Sequence, residues 1–378
     1  MKKFIKVLKT VIPFLIGAVF GAAVFYVGDI ASGIEGGFLS VVITLAALYA
    51  GIIFHSIIHE AGHLIAGKLS GYDFLSFRVF NITLVKKDGK IQRKKYTVAG
   101  TGGQCLMVPP DYECETYPFV FYNLGGSLMN FIFSAVFFTL MMVTSGYAAM
   151  VFAVFAVIGA GIGVLNILPM KIGGVANDGY NIVLCVKNEK SRRALWTQLH
   201  IAALLSQGTR FREMPEDWFA ETDAESLNDP LVGAVANMRF GYLTDIGEYT
   251  RACDYARFLI CNCDKILEVH KNELRCELLF FEIIGQCRKE EIERLYDSKL
   301  QKYVKATLSY MSRQRLMCAY YALYQKDDAK AQKALSDFEK AALHTPFPGE
   351  AAGEREMLGI ILNKKERSSC QDQQQKQN

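Results

Sequence analysis

Apolar and polar positions divide the chain into two unlike halves. In the first, three stretches carry no Asp, Glu, Lys or Arg: Thr10 to Gly28, Gly36 to His59, and Thr116 to Met170. The last spans 55 residues, roughly 80 Å as a helix against a hydrocarbon core of about 30 Å, so it must cross a bilayer twice. Thr144-Ser145-Gly146-Tyr147 is the natural break. The pattern therefore predicts four membrane helices, at about 11–29, 38–66, 118–142 and 148–169. For the first, a cleaved secretory signal is an alternative, because Lys2, Lys3, Lys6 and Lys9 precede the apolar run and Ala31, Ser32 and Gly33 follow it.

Between the second and third runs the period changes to two. Residues 76–85 and 91–98 alternate on either side of Asp88-Gly89, a hairpin signal, and Gly100, Gly102, Gly103 and Pro109-Pro110 follow. A small β-hairpin at the membrane face is expected. Beyond about residue 191 the pattern reads as helices. Phe240 to Ala252 has the helix, glycine turn, aromatic and small-residue cadence of a tetratricopeptide-type hairpin, with weaker echoes through Ile292 and Ala331. From Lys364 the chain is rich in Gln, Lys and Ser and is expected to be disordered. The fold class is thus mainly α: a polytopic membrane bundle over 1–190, a helical repeat-like domain over 191–363, and a tail over 364–378.

Charge adds orientation. The 378 residues hold 42 Lys+Arg and 38 Asp+Glu, a balance of only +4, which gives no electrostatic basis for nucleic-acid binding. The Lys-bearing N-terminus and the segment holding Arg78, Lys86, Lys87, Lys90, Arg93, Lys94 and Lys95 are positive, whereas residues 30–37 and 143–150 have no Lys or Arg. The positive-inside rule then puts both termini in the cytoplasm, in an integral, multi-pass protein of a bacterial cell membrane. The ten Cys include no C-x-x-C pair and are expected to be free thiols.

The chemistry lies on the second helix. His59-Glu60-Ala61-Gly62-His63, an H-E-x-x-H, sets two imidazoles one turn apart on one face, so both can reach one Zn2+. Glu60 points about 100° away round the helix, towards a water on the ion rather than the ion itself. An ionisable residue on an apolar spanning helix is costly and marks a functional site. His55, one turn deeper, is read as supporting or packing rather than ligating. A third ligand is needed, and Asp178 is the one acidic residue between Thr116 and Val186. It is the leading candidate, with a helix N-cap role as the plainer alternative.

These motifs resemble the site-2 protease family of intramembrane zinc metalloproteases. The resemblance rests on His59-Glu60-Ala61-Gly62-His63, on Gly125-Gly126-Ser127-Leu128-Met129-Asn130, and on Asn166-Ile167-Leu168-Pro169 followed by Asp178-Gly179, together covering residues 50–182. It implies zinc held by His59, His63 and Asp178, Glu60 as general base, and Asn130 and Asn166 as polar groups lining the site. Gly102 and Gly103, with the hairpin, are expected to hold the substrate as an added strand. Two features depart from the family. Ser127 stands where proline is usual, and residues 171–176 lengthen the link from Asn166 to Asp178. The implied function is regulated intramembrane proteolysis of a membrane-protein substrate within the lipid bilayer. The helical half offers a surface for a protein partner. Two rivals remain: a membrane zinc peptidase of another class, whose third ligand is a glutamate beyond Glu189, and a non-catalytic membrane scaffold whose helical half binds a regulator.

Overall fold

The computed structural model describes residues 21, 26–31, 33, 37–87, 89–95, 102–172, 175–262, 268–345 and 347–377. The chain is mainly helical, with a small antiparallel sheet. Three helices are long and apolar enough to cross a membrane: α1 (Phe38–Leu69), α2 (Phe119–Met142) and α3 (Gly146–Ile167). Most of the helix expected at 11–29 lies outside the described residues, although 26–31 are helical.

The packing of α1 reverses the usual order of a globular protein. Ser40, Thr44, Gly51, His55, His59, Glu60, Gly62 and His63 are buried, while Phe38, Leu45, Tyr49 and Ile57 face outward. Small and polar groups inside with large apolar groups outside suit a helix solvated by lipid, where bulk apolarity drives no association and close backbone approach does. That approach is tightest where Gly62 and Gly125 cross: a Cβ on either would overlap the carbonyl of the other. The break before α3 falls as expected, at Ser145 and at Gly146, which has φ +61°.

Between α1 and α2 lies a sheet of four strands rather than a lone hairpin: β1 (Asp73–Val79), β2 (Ile82–Lys87), β3 (Lys90–Lys95) and β4 (Gly103–Val108), in the order β3-β2-β1-β4. The strand expected over 76–85 is split by a turn at Phe80, which takes φ +53° and donates its N–H to the Gly102 carbonyl. Alternation continues through that turn, so periodicity alone does not reveal it. Lys87 and Lys90 pair across the expected turn at Asp88-Gly89, and residues 96–98 lie outside the described residues. β4 escapes the sequence pattern because only Cys105 and Met107 of its side chains are buried.

After α3 a two-residue ladder, β5 (Lys171–Ile172) with β6 (Val175–Ala176), leads into α4 (Asp178–Lys187) and α5 (Glu189–Gln207). The helical half continues with α6 (Pro230–Asp245), α7 (Tyr249–Asn262), α8 (Glu268–Ile284), α9 (Lys289–Leu295), α10 (Ser298–Ala306), α11 (Met311–Ala319), α12 (Asp328–His344) and α13 (Pro348–Gln377). A wider π-type turn, Tyr320–Gln325, extends α11. Left-handed residues stand two positions before α7, α9 and α12: Gly247 (φ +84°), Cys287 (φ +54°) and Lys326 (φ +58°). The fourth residue of each of those helices, Ala252, Ile292 and Ala331, enters a common core. The drifting spacing near 40 residues is therefore a repeated helix-turn-helix geometry.

Two boundaries differ from expectation. The tail expected to be disordered from Lys364 continues α13 to Gln377. Gln, Lys, Glu and Arg are good helix formers, and extending an existing helix avoids the cost of nucleation. The division placed at 190/191 is crossed by one core, in which Tyr72, Met107 and Tyr122 meet Leu195, Trp196 and Leu199. Hydrogen bonds from Trp196 Nε1 to the Pro110 carbonyl (2.9 Å) and from Lys94 Nζ to the Thr345 carbonyl (2.9 Å) tie the sheet to the helical half. Among the described residues no cysteine is disulfide-bonded.

Candidate metal centre

His59 and His63 lie on the buried face of α1 because residues four apart stack on one side of a helix. Their rings are accommodated by glycine. A Cβ on Gly126 of α2 would overlap the His59 imidazole. Asp178 arrives from the far end of α3. The lengthened link 171–176 does not displace it, since β5 and β6 close the loop and Asn177 N–H bonds the Met170 carbonyl.

Asn177 does the anchoring. Its amide nitrogen donates to the Leu165 and Leu168 carbonyls at 2.7 and 2.6 Å, and its oxygen accepts from Met170 and Tyr180 N–H. The N-cap of α4 is thus Asn177, not Asp178, which occupies the first helical turn. Gly179 then packs where a Cβ would overlap the Ile167 carbonyl. The result is a triangle of donor atoms. His59 Nε2 and His63 Nε2 are 3.1 Å apart, and Asp178 Oδ2 lies 3.2 and 3.3 Å from them. In a tetrahedral zinc site with N and O ligands at about 2.0–2.1 Å, two ligands are separated by roughly 3.3 Å. The residues fit the ion.

Hydrogen bonding orients the rings. His63 Nδ1 donates to the Tyr122 carbonyl at 2.8 Å, which leaves the Nε2 lone pair facing the triangle. Asn130 bridges two histidines, 3.1 Å from His59 Nδ1 and 3.2 Å from His55 Nδ1. With its amide nitrogen towards His59, the Nε2 of that ring carries the proton. A metal on His59 Nε2 requires the amide turned by a half-circle, oxygen to His59 and nitrogen to His55. His55 is fully buried, and Gly159 of α3 leaves the space for its ring.

Glu60 sits beside this triangle and outside it. Its carboxyl packs against Gly103, where any side chain would overlap it, and accepts from the Cys105 backbone N–H. The Cys105 carbonyl in turn accepts from the Tyr122 hydroxyl at 2.7 Å. Burial and the neighbouring Glu60 raise the Cys105 thiol above its ordinary range, so it stays a neutral packing group.

Of the expected lining residues, the structure brings Asn130 and Gly103 to the site. The Asn166 amide turns back to Ile162 of its own helix, and Gly102 has no neighbour where a Cβ would stand. Both polar groups of Cys105 are engaged by Glu60 and Tyr122, which turns that side of β4 towards α1 and α2. Tyr122 and Asn177 are the site residues that the sequence reading missed. Asn177 carries a detectable signal, an Asn just before a helix start; a tyrosine acting through its carbonyl and hydroxyl carries none. No family model, curated protein or solved structure matches this chain.

Proposed function

We propose that the chain is an intramembrane zinc metallopeptidase of the site-2 protease kind, which hydrolyses a peptide bond in or near a spanning segment of a membrane-protein substrate. The observation that carries the reading is the 3.1–3.3 Å triangle of His59, His63 and Asp178 with the Glu60 carboxyl alongside. Two neutral imidazoles and one carboxylate suit Zn2+, which when bound supplies Lewis-acid polarisation of a carbonyl and a more acidic water.

Glu60 is placed to take a proton on its carboxyl oxygen from the attacking water and to return it to the leaving amine. Gly103 and the Cys105 N–H hold that carboxyl in position. Tyr122 couples the β4 strand to His63, so base and ligand share one support. A spanning helix hides its own amides, so a substrate must unwind locally before attack. By the charge distribution, the sheet and the helical half lie on the cytoplasmic side with both termini. The hairpin array, tetratricopeptide-type in its cadence, then meets the cytoplasmic flank of the substrate.

The test is purified protein carrying Glu60→Gln. It is expected to retain zinc by metal analysis and to cleave no membrane peptide, whereas Asp178→Ala is expected to lose the metal. Undiminished cleavage by Glu60→Gln would overturn the assignment.

A further inference from the structure

One face of the four-stranded sheet starts under α1 and ends uncovered. The register carries Gly103 of β4, Val79 of β1, Ile82 of β2 and Lys95 of β3 across the sheet in one row, with Cys105, Phe77, Leu84 and Arg93 in the next. Cross-strand partners project to the same side, so these rows share a face. At β4 that face meets α1: a Cβ on Gly103 would overlap Glu60, and a Cβ on Gly67 would overlap Met107, two residues beyond Cys105. Further out the cover is lost. Cys105 is 5% exposed, Ile82 is 42% exposed, and Ile91, which pairs with Lys86 on the same face, is 63% exposed. The opposite face is occupied, with Ser76, Thr83 and Val85 buried and Lys94 bonded to Thr345.

Depth and charge indicate what meets the open part. The stretch of α1 from Phe38 to His59 carries no charge, and as roughly 33 Å of helix it already spans a hydrocarbon core of about 30 Å. The segment from Glu60 to Gly67, on which β4 packs, then falls at the boundary with the headgroups. Ile65 and Leu69 are exposed there and continue the outward apolar surface of α1. On the open sheet face, Lys86, Arg93 and Lys95 are exposed beside Ile82 and Ile91, and none of the three makes an ion pair among the described residues. Residues 74–110 hold seven Lys and Arg against one acidic residue, Asp88.

We propose that the outer face of β2 and β3 lies on the membrane surface and gathers anionic phospholipid headgroups. Exposed isoleucines set between cations suit a boundary that is apolar on one side and negatively charged on the other: the isoleucines reach the acyl chains and the cations reach the phosphates. A zwitterionic headgroup leaves the three cations without a net counter-charge; an anionic one supplies it. The inference needs α1 to span the bilayer but does not need the peptidase reading. It bears on the site all the same, because the strand that packs on Glu60 and the strands that meet lipid belong to one sheet.

The test uses the full chain in nanodiscs of equal phosphatidylcholine and phosphatidylglycerol, with Ile91→Trp as a fluorescent reporter and the unsubstituted chain as the background of Trp196 and Trp218. Bromine, a short-range quencher, is placed on the acyl chains of one lipid or of the other. Brominated phosphatidylglycerol is expected to quench the added indole about twofold or more beyond brominated phosphatidylcholine, a preference that weakens in high salt. Combined Lys86→Gln, Arg93→Gln and Lys95→Gln, checked for unchanged thermal unfolding, is expected to bring the ratio to about one. Equal quenching by the two lipids with the cations intact, which requires no charge variant, would overturn the proposal. So would a preference that survives the triple substitution. An added indole quenched by neither lipid would mean that solvent, a peptide or a second copy of the chain meets this face, and would overturn it too. Zinc binding and cleavage are not read in this experiment, so its failure leaves the peptidase reading standing.

Discussion

The two halves of this protein bury opposite kinds of side chain. In the helical half Phe280, Phe338 and Leu259 are fully buried, the order expected when water is the solvent. In α1 the inward face is Ser40, Thr44, His55, His59 and Glu60, while Phe38 is 86% exposed and Tyr49 is 71% exposed. The lesson is that the same hydrophobic residues define a core in one half and an outer surface in the other. What holds the first half together is close backbone contact at glycine and a connected set of polar groups.

The sharpest way to break this contrast is at the helix crossing. Gly62→Val is expected to separate α1 from α2 and abolish zinc binding in the purified protein, while the helical half keeps its far-ultraviolet dichroism. The reciprocal change, Phe338→Ala, removes a fully buried ring from the water-solvated core. It is expected to cost about 3–5 kcal/mol of that half's stability, read by urea unfolding, with zinc stoichiometry unchanged. Asn130→Leu should retain the membrane fold and weaken zinc by roughly 10- to 100-fold in a chelator competition, because His59 loses the group that orients it. Phe38→Ala tests the outward face: in detergent its effect is expected to stay within about 0.5 kcal/mol, as for an exposed surface site. An effect as large as that of Phe338→Ala would mean that a partner, not lipid, covers Phe38.

The His59-Glu60-Ala61-Gly62-His63 motif was legible because helical geometry alone brings residues four apart together. Asp178 stood out because it is the one acidic side chain between Thr116 and Val186. Asn166, a short polar side chain near a helix end, bonds its own backbone at Ile162. Gly103 was expected at the site for a different purpose. It makes room for Glu60, a role that depends on a strand far from Glu60 in sequence.

The sequence by itself determined the three helices long and apolar enough to cross a membrane, the paired histidines and the recurrence near 40 residues, because each depends on spacing within one element or on the presence or absence of charge. Only the tertiary structure decided that β4 packs on Glu60 and that Tyr122 and Asn177 orient the donors. Those relations join residues many positions apart, and no local period encodes which surfaces will meet. They are settled by backbone approach at Gly62 and Gly125 and by the need of each buried polar group for a partner.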